Sequence, residues 1–265
     1  MDLKNRIALI TGAGTGIGRA TAIELARYGS TIILVDIRED KLAEALNEVR
    51  KYAPDSTSEV CDVSNESRVK QMVQTSHQRH GSIDILVNNA GIMIIKLFDE
   101  LSEDEFNRQM DVNFYGTVYL TRAVVPIMKT QGRGTIMNFS SPMGKLPVPG
   151  ATAYIVSKAA IYAFSEALYY ELKNRGIHVG VILPGGTRTE LFDNAVFDRL
   201  GEYYRGHATM PPAKIARSIR KAIEKERFET VTRVSDRLYI GIRNTFPGLF
   251  RSFAMRKLRS YYRTY

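Results

Sequence analysis

Only one of the 265 residues is cysteine, Cys61, so no internal disulfide can form and the chain reads as one for a reducing compartment, with Cys61 a small buried apolar residue. No run approaches the roughly 18 apolar residues of a spanning helix. The N-terminal segment MDLKNRIALITGAG reaches its glycine-rich turn too early for a signal peptide, and the expectation is a cytoplasmic protein. Repeats, low-complexity tracts and interdomain linkers are also lacking. With 44% hydrophobic and 25% charged residues, the composition excludes disordered, collagen-like and disulfide-scaffold classes. The four histidines show no metal-ligand spacing beyond His77-x2-His80 on a polar helix face; they read as surface residues, and no metal is expected. Acidic residues are the most uneven lack: none follows Asp236, whereas seven basic residues do. From Ala213 onward there are 14 Lys plus Arg against 4 Asp plus Glu, while residues 1–212 carry 23 against 24. One segment, not the whole chain, is suited to an anionic surface.

What is present alternates. RIALIT, TIILVD, IDILVNN, GTIMNFS and IHVGVIL are apolar, β-branched runs, and the weaker TSEV and FETVTRV bring the strand candidates to seven. Helix-like spacing fills 17–28, 38–52, 66–80, 103–129, 153–174 and 212–225 between them. Such alternation predicts one doubly wound α/β Rossmann domain over 1–235, with a mostly parallel seven-stranded sheet and helices on both faces. The longest irregular segment, about 185–211, is expected to be a lid.

TGAGTGIGRA, residues 11–20, follows the first strand and opens the first helix. A crossover there needs a tight turn, and a dinucleotide pyrophosphate needs backbone amides approached without a Cβ in the way. The helix that follows aims its N-terminal amides at the phosphates. The second strand ends at Asp36, 18 residues past Gly18, where a carboxylate can accept both hydroxyls of an adenosine ribose and repel a 2′-phosphate. NAD is therefore favoured, and Arg38 leaves NADP open.

Thr11-Gly12-x3-Gly16-x-Gly18, Asn88-Asn89-Ala90-Gly91, Asn113, Ser141 and Tyr154-x3-Lys158 together resemble, in order and spacing, the short-chain dehydrogenase/reductase family over roughly residues 3–235. The resemblance implies a cofactor cleft lined by Gly12, Gly16, Ile17, Asp62, Val63, Asn89, Ala90 and Gly91, with Thr11 and Gly18 in the same fingerprint. It implies that Pro184 and Gly185 run beside the nicotinamide, with Thr187 or Thr189 bonding its carboxamide. It further implies catalytic roles for Asn113, Ser141, Tyr154 and Lys158, with Asn113 holding a water in a relay to Lys158. A homodimer or homotetramer packed through the helices of Asn113 and Tyr154 is implied as well. Substrate is not specified, since members act on many alcohols and carbonyls.

The residue types support that chemistry. Tyr154 and Lys158 are four apart and share a helix face. Lowering a phenol pKa by about 3 units takes roughly 4 kcal/mol, which a cation about 4 Å away at an effective dielectric of about 20 supplies. Lys158, helped by the positive nicotinamide of the oxidised cofactor, is thus expected to make Tyr154 a usable base, with Tyr154 taking or giving the hydroxyl proton and Ser141 holding the substrate oxygen. Ser140 is the competing assignment for that last role.

Leu191, Phe192, Val196, Phe197, Leu200, Tyr203 and Tyr204 in the lid either close an apolar substrate pocket or pack the lid on the body. A helix over 249–263 would gather Phe250, Phe253, Ala254, Leu258 and Tyr261 opposite Ser252, Arg256, Arg259 and Arg263. Peripheral membrane contact through 237–265 and packing against the body or another subunit are both open. Nucleic acid fits poorly, because no binding fold accompanies the charge. The rivals to an enzyme are a dinucleotide-binding sensor and a membrane adaptor.

Overall fold

The computed structural model describes residues 1–188, 196–197, 209–252 and 255–256. Its strands are β1 (Ile7–Thr11), β2 (Thr31–Asp36), β3 (Thr57–Val60), β4 (Ile85–Asn88), β5 (Ile94–Ile95), β6 (Gly134–Phe139), β7 (Ile177–Leu183), β8 (Val196–Phe197) and β9 (Glu229–Val231). Seven of them form one sheet in the order β3, β2, β1, β4, β6, β7, β9, every neighbouring pair parallel. These are the seven runs legible in the sequence. β4 and β6 are buried along their whole length, which is why they read as unbroken apolar runs and not as alternating ones.

The helices are α1 (Gly16–Arg27), α2 (Glu39–Val49), α3 (Glu66–His80), α4 (Glu103–Met110), α5 (Gly116–Gln131), α6 (Pro142–Lys145), α7 (Thr152–Leu172), α8 (Pro212–Glu224) and α9 (Val234–Thr245). Successive strand residues feed opposite layers. Ala8 and Ile10 pack with Ala22 and Leu25 of α1, Leu42 of α2, and Ile215 and Ile219 of α8. Leu9 and Leu86 pack with Val69 and Val73 of α3 and Leu120 and Val124 of α5. α8 shows its burial pattern plainly, with Ile215, Ala216, Ile219, Ala222 and Ile223 all inward. Its Arg220 donates to Glu24 of α1 at 2.9 Å and to Glu224 at 2.6 Å.

At the N-terminal edge of the sheet, buried Asp84 accepts from the Ile7 amide at 3.0 Å, from Ser82 Oγ at 3.1 Å and from Arg133 Nε at 3.0 Å, so three segments meet on one carboxylate. The opposite edge carries the site, since β1 has β2 on one side and β4 on the other and the connections diverge there.

Three features depart from the sequence pattern. The helix expected over 103–129 is divided by a π-helical turn, Asp111–Tyr115, centred on Asn113. β5 and β8 form a separate two-stranded parallel pair. The last strand is followed by α9, which was not foreseen. The segment expected to be a lid lies mostly outside the described residues, as do Phe253, Ala254 and 257–263 of the expected tail helix, while its residues 249–252 and 255–256 are helical as expected.

Candidate active site

The glycine turn is jammed between its neighbours. Gly12 has φ +61°, and a Cβ there would lie 2.8 Å from Asn89 Nδ2. A Cβ on Gly18 would lie 2.0 Å from the Gly12 carbonyl oxygen. The residues just after β4 clip the turn: Asn89 Nδ2 donates to the Thr11 and Gly12 carbonyls at 2.9 and 3.2 Å, and Thr11 Oγ1 accepts from the Asn89 and Ala90 amides at 3.1 and 3.0 Å. No side chain caps α1, because the hydroxyl of its N-cap, Thr15, accepts from Arg38 instead.

A cleft of about 1040 Å³ opens over this edge. Gly12, Gly16, Ile17 and Asp36 line one end, with Asp62 and Val63 beside them. Asn89, Ala90 and Gly91 floor the middle, and Tyr154, Lys158 and Pro184 stand at the other end. Thr11 and Gly18 do not line it; they hold the turn that does. Gly185 and Thr187 are also off the lining: the Gly185 amide donates to Thr232 Oγ1 at 2.8 Å, and the buried Thr187 hydroxyl donates to the Gly185 carbonyl at 2.6 Å. Thr189 lies outside the described residues. Asp36 is 7% exposed and accepts from the Gly14 amide at 2.9 Å and the Arg38 amide at 3.2 Å, with Arg38 Nε 3.5 Å away. Ile92, Met93, Ile94 and Arg108 also line the cleft; they come from the segment after β4 and from α4, which carry no motif.

At the far end, Tyr154 and Lys158 project from the first turns of α7 and are both buried. Ser141 is the N-cap of α6, accepts from the Met143 amide at 3.2 Å and shares a hydrogen bond with the Tyr154 phenol. Ser140 is committed elsewhere, donating to the Lys158 carbonyl at 2.7 Å. Asn113 is fully buried: its Oδ1 accepts from the Ile92 amide at 2.8 Å, and its Nδ2 donates to the Ile92 carbonyl and Ser157 Oγ at 3.1 and 3.0 Å. These bonds account for the wider π turn around it. The short α6 is tied to β9 by an ion pair between Lys145 and Glu229, which also accepts from the Tyr162 hydroxyl at 2.8 Å.

Lys158 Nζ donates to the Phe139 carbonyl at 2.9 Å and sits 5.7 Å from the centre of the Tyr154 ring. Burial therefore dominates both groups. The phenol is pushed up to about 12, with the Ser141 bond pulling the other way, and the ammonium is pushed down to about 8. Between about 8 and the ordinary 10.5 the unfolded chain keeps the Lys158 proton that the folded chain has released, so stability from this group rises with pH across that window. Urea unfolding of wild type and Lys158→Met should show a stability gap that grows in favour of wild type from pH 8 to 10.5; parallel pH curves would contradict the burial of this amine.

His80 and His178 are half-buried. Burial lowers the pKa of both: His80 bonds Thr57 Oγ1 at 3.0 Å, and His178 bonds the Arg227 carbonyl at 3.3 Å while its ring meets Tyr169 edge-on. Among the described residues no cluster could hold a metal. Cys61 is buried as expected, with its thiol pKa raised by desolvation.

The profile of the family described as short chain dehydrogenase matches residues 6–199. The 3-oxoacyl-(acyl-carrier-protein) reductase of Thermotoga maritima is 35% identical over 191 residues, covering 72% of this chain and 78% of that protein. The 3-dehydrosphinganine reductase of Danio rerio is 36% identical over 197 residues, covering 72% of this chain but 59% of that longer protein. Among solved structures, a short chain dehydrogenase/reductase from Burkholderia phymatum in complex with NAD superposes with a TM-score of 0.87 at 25% identity, covering 94% of this chain and 96% of that one.

Proposed function

This chain belongs to the short chain dehydrogenase family and, from that premise, we propose that it transfers hydride between NAD(H) and a secondary alcohol or ketone of apolar, lipid- or steroid-like character, with Tyr154 as general acid and base. The observation that carries the proposal is a cleft with Tyr154 and Lys158 at one end and Asp36 at the other, Ser141 being hydrogen-bonded to the Tyr154 phenol and Asn113 lying behind Gly91 next to Lys158. A sensor has no use for a buried phenol bonded to a serine.

The residues present fit a nicotinamide dinucleotide. Side chains on Gly12 and Gly18 would displace the turn that forms the cradle, and the α1 amides carry no side-chain cap. The Asp36 carboxylate retains acceptor sites beyond those taken by the Gly14 and Arg38 amides. When bound, the cofactor accepts or supplies the hydride at its nicotinamide. Everything else falls to side chains. In oxidation Tyr154 Oη takes the proton of the substrate hydroxyl as the carbonyl forms; in reduction it returns that proton to the forming alkoxide. Ser141 Oγ holds the substrate oxygen. Lys158, beside the Tyr154 ring, holds positive charge next to the developing phenolate. Asn113 fixes the Ile92 backbone and lies against the same wall as the lysine, since a Cβ on Gly91 would meet Asn113 Oδ1 at 3.0 Å and Lys158 Nζ at 3.6 Å. Met93, Ile95 and Ala151 pack around Tyr154, which favours an apolar substrate.

Asp36 selects NAD over NADP in this reading. Asp36→Ala is expected to weaken NADH by about 10- to 100-fold, the loss of a charged hydrogen-bond acceptor, and to improve NADPH, because the carboxylate that repels a 2′-phosphate is gone. Fluorescence titration with both cofactors, followed by a panel of apolar ketones and secondary alcohols, tests the proposal. NADH binding unaltered by the change, or no turnover with any substrate, would overturn it.

The reading extends to a homodimer or homotetramer through the helices carrying Asn113 and Tyr154, on which Tyr115 and Val156 are exposed. It keeps 1–235 as the cofactor-binding and catalytic part, with a lid over 185–211, and 236–265 as a basic extension. No described helix is long and apolar enough to cross a membrane. The protein is assigned to the cytoplasm, with peripheral membrane contact through that extension and no nucleic-acid partner.

A further inference from the structure

We infer that one face of α9, continued through the turn that follows it, docks onto a lipid bilayer carrying anionic headgroups, and that it holds the catalytic end of the cleft beside that bilayer. Val234, Leu238 and Ile242 recur every four residues along α9 and so share a stripe. Pro247 forbids helical geometry at Phe246, which ends the helix and carries Phe246 and Leu249 onward. Relative exposure is 85% for Val234, 62% for Leu238, 59% for Phe246 and 67% for Leu249. The stripe lines a shallow groove of about 490 Å³ together with Arg237. It is not the side that seats the helix: Ile240 does that, buried against Val181 and Leu183.

Charge decides what covers the face. Arg237, Arg251 and Arg256 are exposed and pair with no acid among the described residues. Beyond Asp236 the chain has seven basic residues and no acidic one. A second copy packed face to face would set this basic segment against itself, because a two-fold interface presents the same patch twice. An anionic bilayer supplies negative charge at the headgroups and an apolar layer just below them, in the arrangement that this stripe and its arginines present.

α9 packs on α6 and β9. α6 begins at Ser141, and β9 grips it through Glu229. A bilayer against α9 therefore lies next to the substrate-binding end, from which an apolar alcohol or ketone dissolved in lipid can pass into the cleft. Only this last consequence rests on the oxidoreductase reading; the docking itself does not.

The test is co-sedimentation of the full chain with vesicles of phosphatidylcholine, alone and mixed with phosphatidylglycerol. Binding is expected to the mixed vesicles only and to fade as salt is raised. Leu238→Glu with Phe246→Glu, and separately Arg237→Glu with Arg251→Glu, should each weaken it by at least about 10-fold while NADH titration remains as in wild type. No binding, equal binding to neutral vesicles, or binding unaltered in both pairs would overturn the inference. So would a drop in oligomeric state of the Leu238→Glu/Phe246→Glu protein by sedimentation velocity without lipid, which assigns the face to a second copy. Should the first pair fail to fold, the arginine pair, at exposed positions, carries the test. Lipid binding in a protein that binds no NADH would leave this inference standing and sink the enzymatic one.

Discussion

Tyr154→Phe is expected to lower kcat/KM about a thousandfold while leaving NADH affinity within about twofold, because positioned acid–base catalysis is worth about 10²–10⁴ and the ring itself is retained. The phenol is buried, shares a side-chain hydrogen bond with Ser141 and has its pKa pushed up to about 12. In this state it is a proton donor at neutral pH and a poor base. Reduction should accordingly be supported over a wide pH range, whereas oxidation should climb with pH as the phenolate is populated. Phenylalanine removes the proton and preserves the packing against Met93, Ile95 and Ala151, so the fold should survive. Pre-steady-state reduction of a ketone and NADH titration on the same preparation separate the two quantities. Loss of NADH binding in step with turnover would mean that Tyr154 is a structural residue; retained turnover would dismiss it as the acid.

Gly18→Ala is expected to weaken NADH at least about 100-fold, a loss of about 2.7 kcal/mol, by moving the turn and not by blocking the cleft. Its new methyl would sit 2.0 Å from the Gly12 carbonyl oxygen and 2.7 Å from Asn89 Nδ2, and neither is the loose end of a flexible chain. Relief requires shifting Gly12 or breaking the Asn89 bonds to Thr11 and Gly12. Calorimetric titration with NADH, alongside circular dichroism for the fold, reads the effect. Wild-type affinity in a folded Gly18→Ala protein would show that the turn is not the cofactor's seat. A Gly14→Ala control presses instead on the Lys41 and Asp36 side chains, at 2.9 and 3.0 Å, and should be milder because side chains yield more easily than backbone.

The sheet was legible because its central strands are buried on both faces and so appear as apolar runs of the right length. The glycine turn and the Tyr154–Lys158 spacing were legible because each is local. What escaped detection depends on contacts between segments far apart in the chain. The π turn at Asn113 answers to Ile92, and the position of Lys158 Nζ answers to the Phe139 carbonyl, neither of which helical spacing reveals. Thr11 belongs to the glycine fingerprint yet serves by gripping Asn89 and Ala90, a partnership across 78 positions that no window along the chain contains. α9 was missed because its exposed apolar stripe does not read as a core-facing one.

That long-range grip also governs when the protein becomes able to function. A nascent chain emerging N-terminus first displays the glycine motif, residues 11–20, well before residues 89 and 90, to which the clip that shapes it belongs. Until β4 inserts beside β1, the motif is a flexible loop on an unpaired edge, and closing that distance is the slow kind of contact. Cofactor therefore cannot template the early steps of folding. It can act only as a late clamp, drawing the already assembled centre of the sheet away from its unfolded competitors.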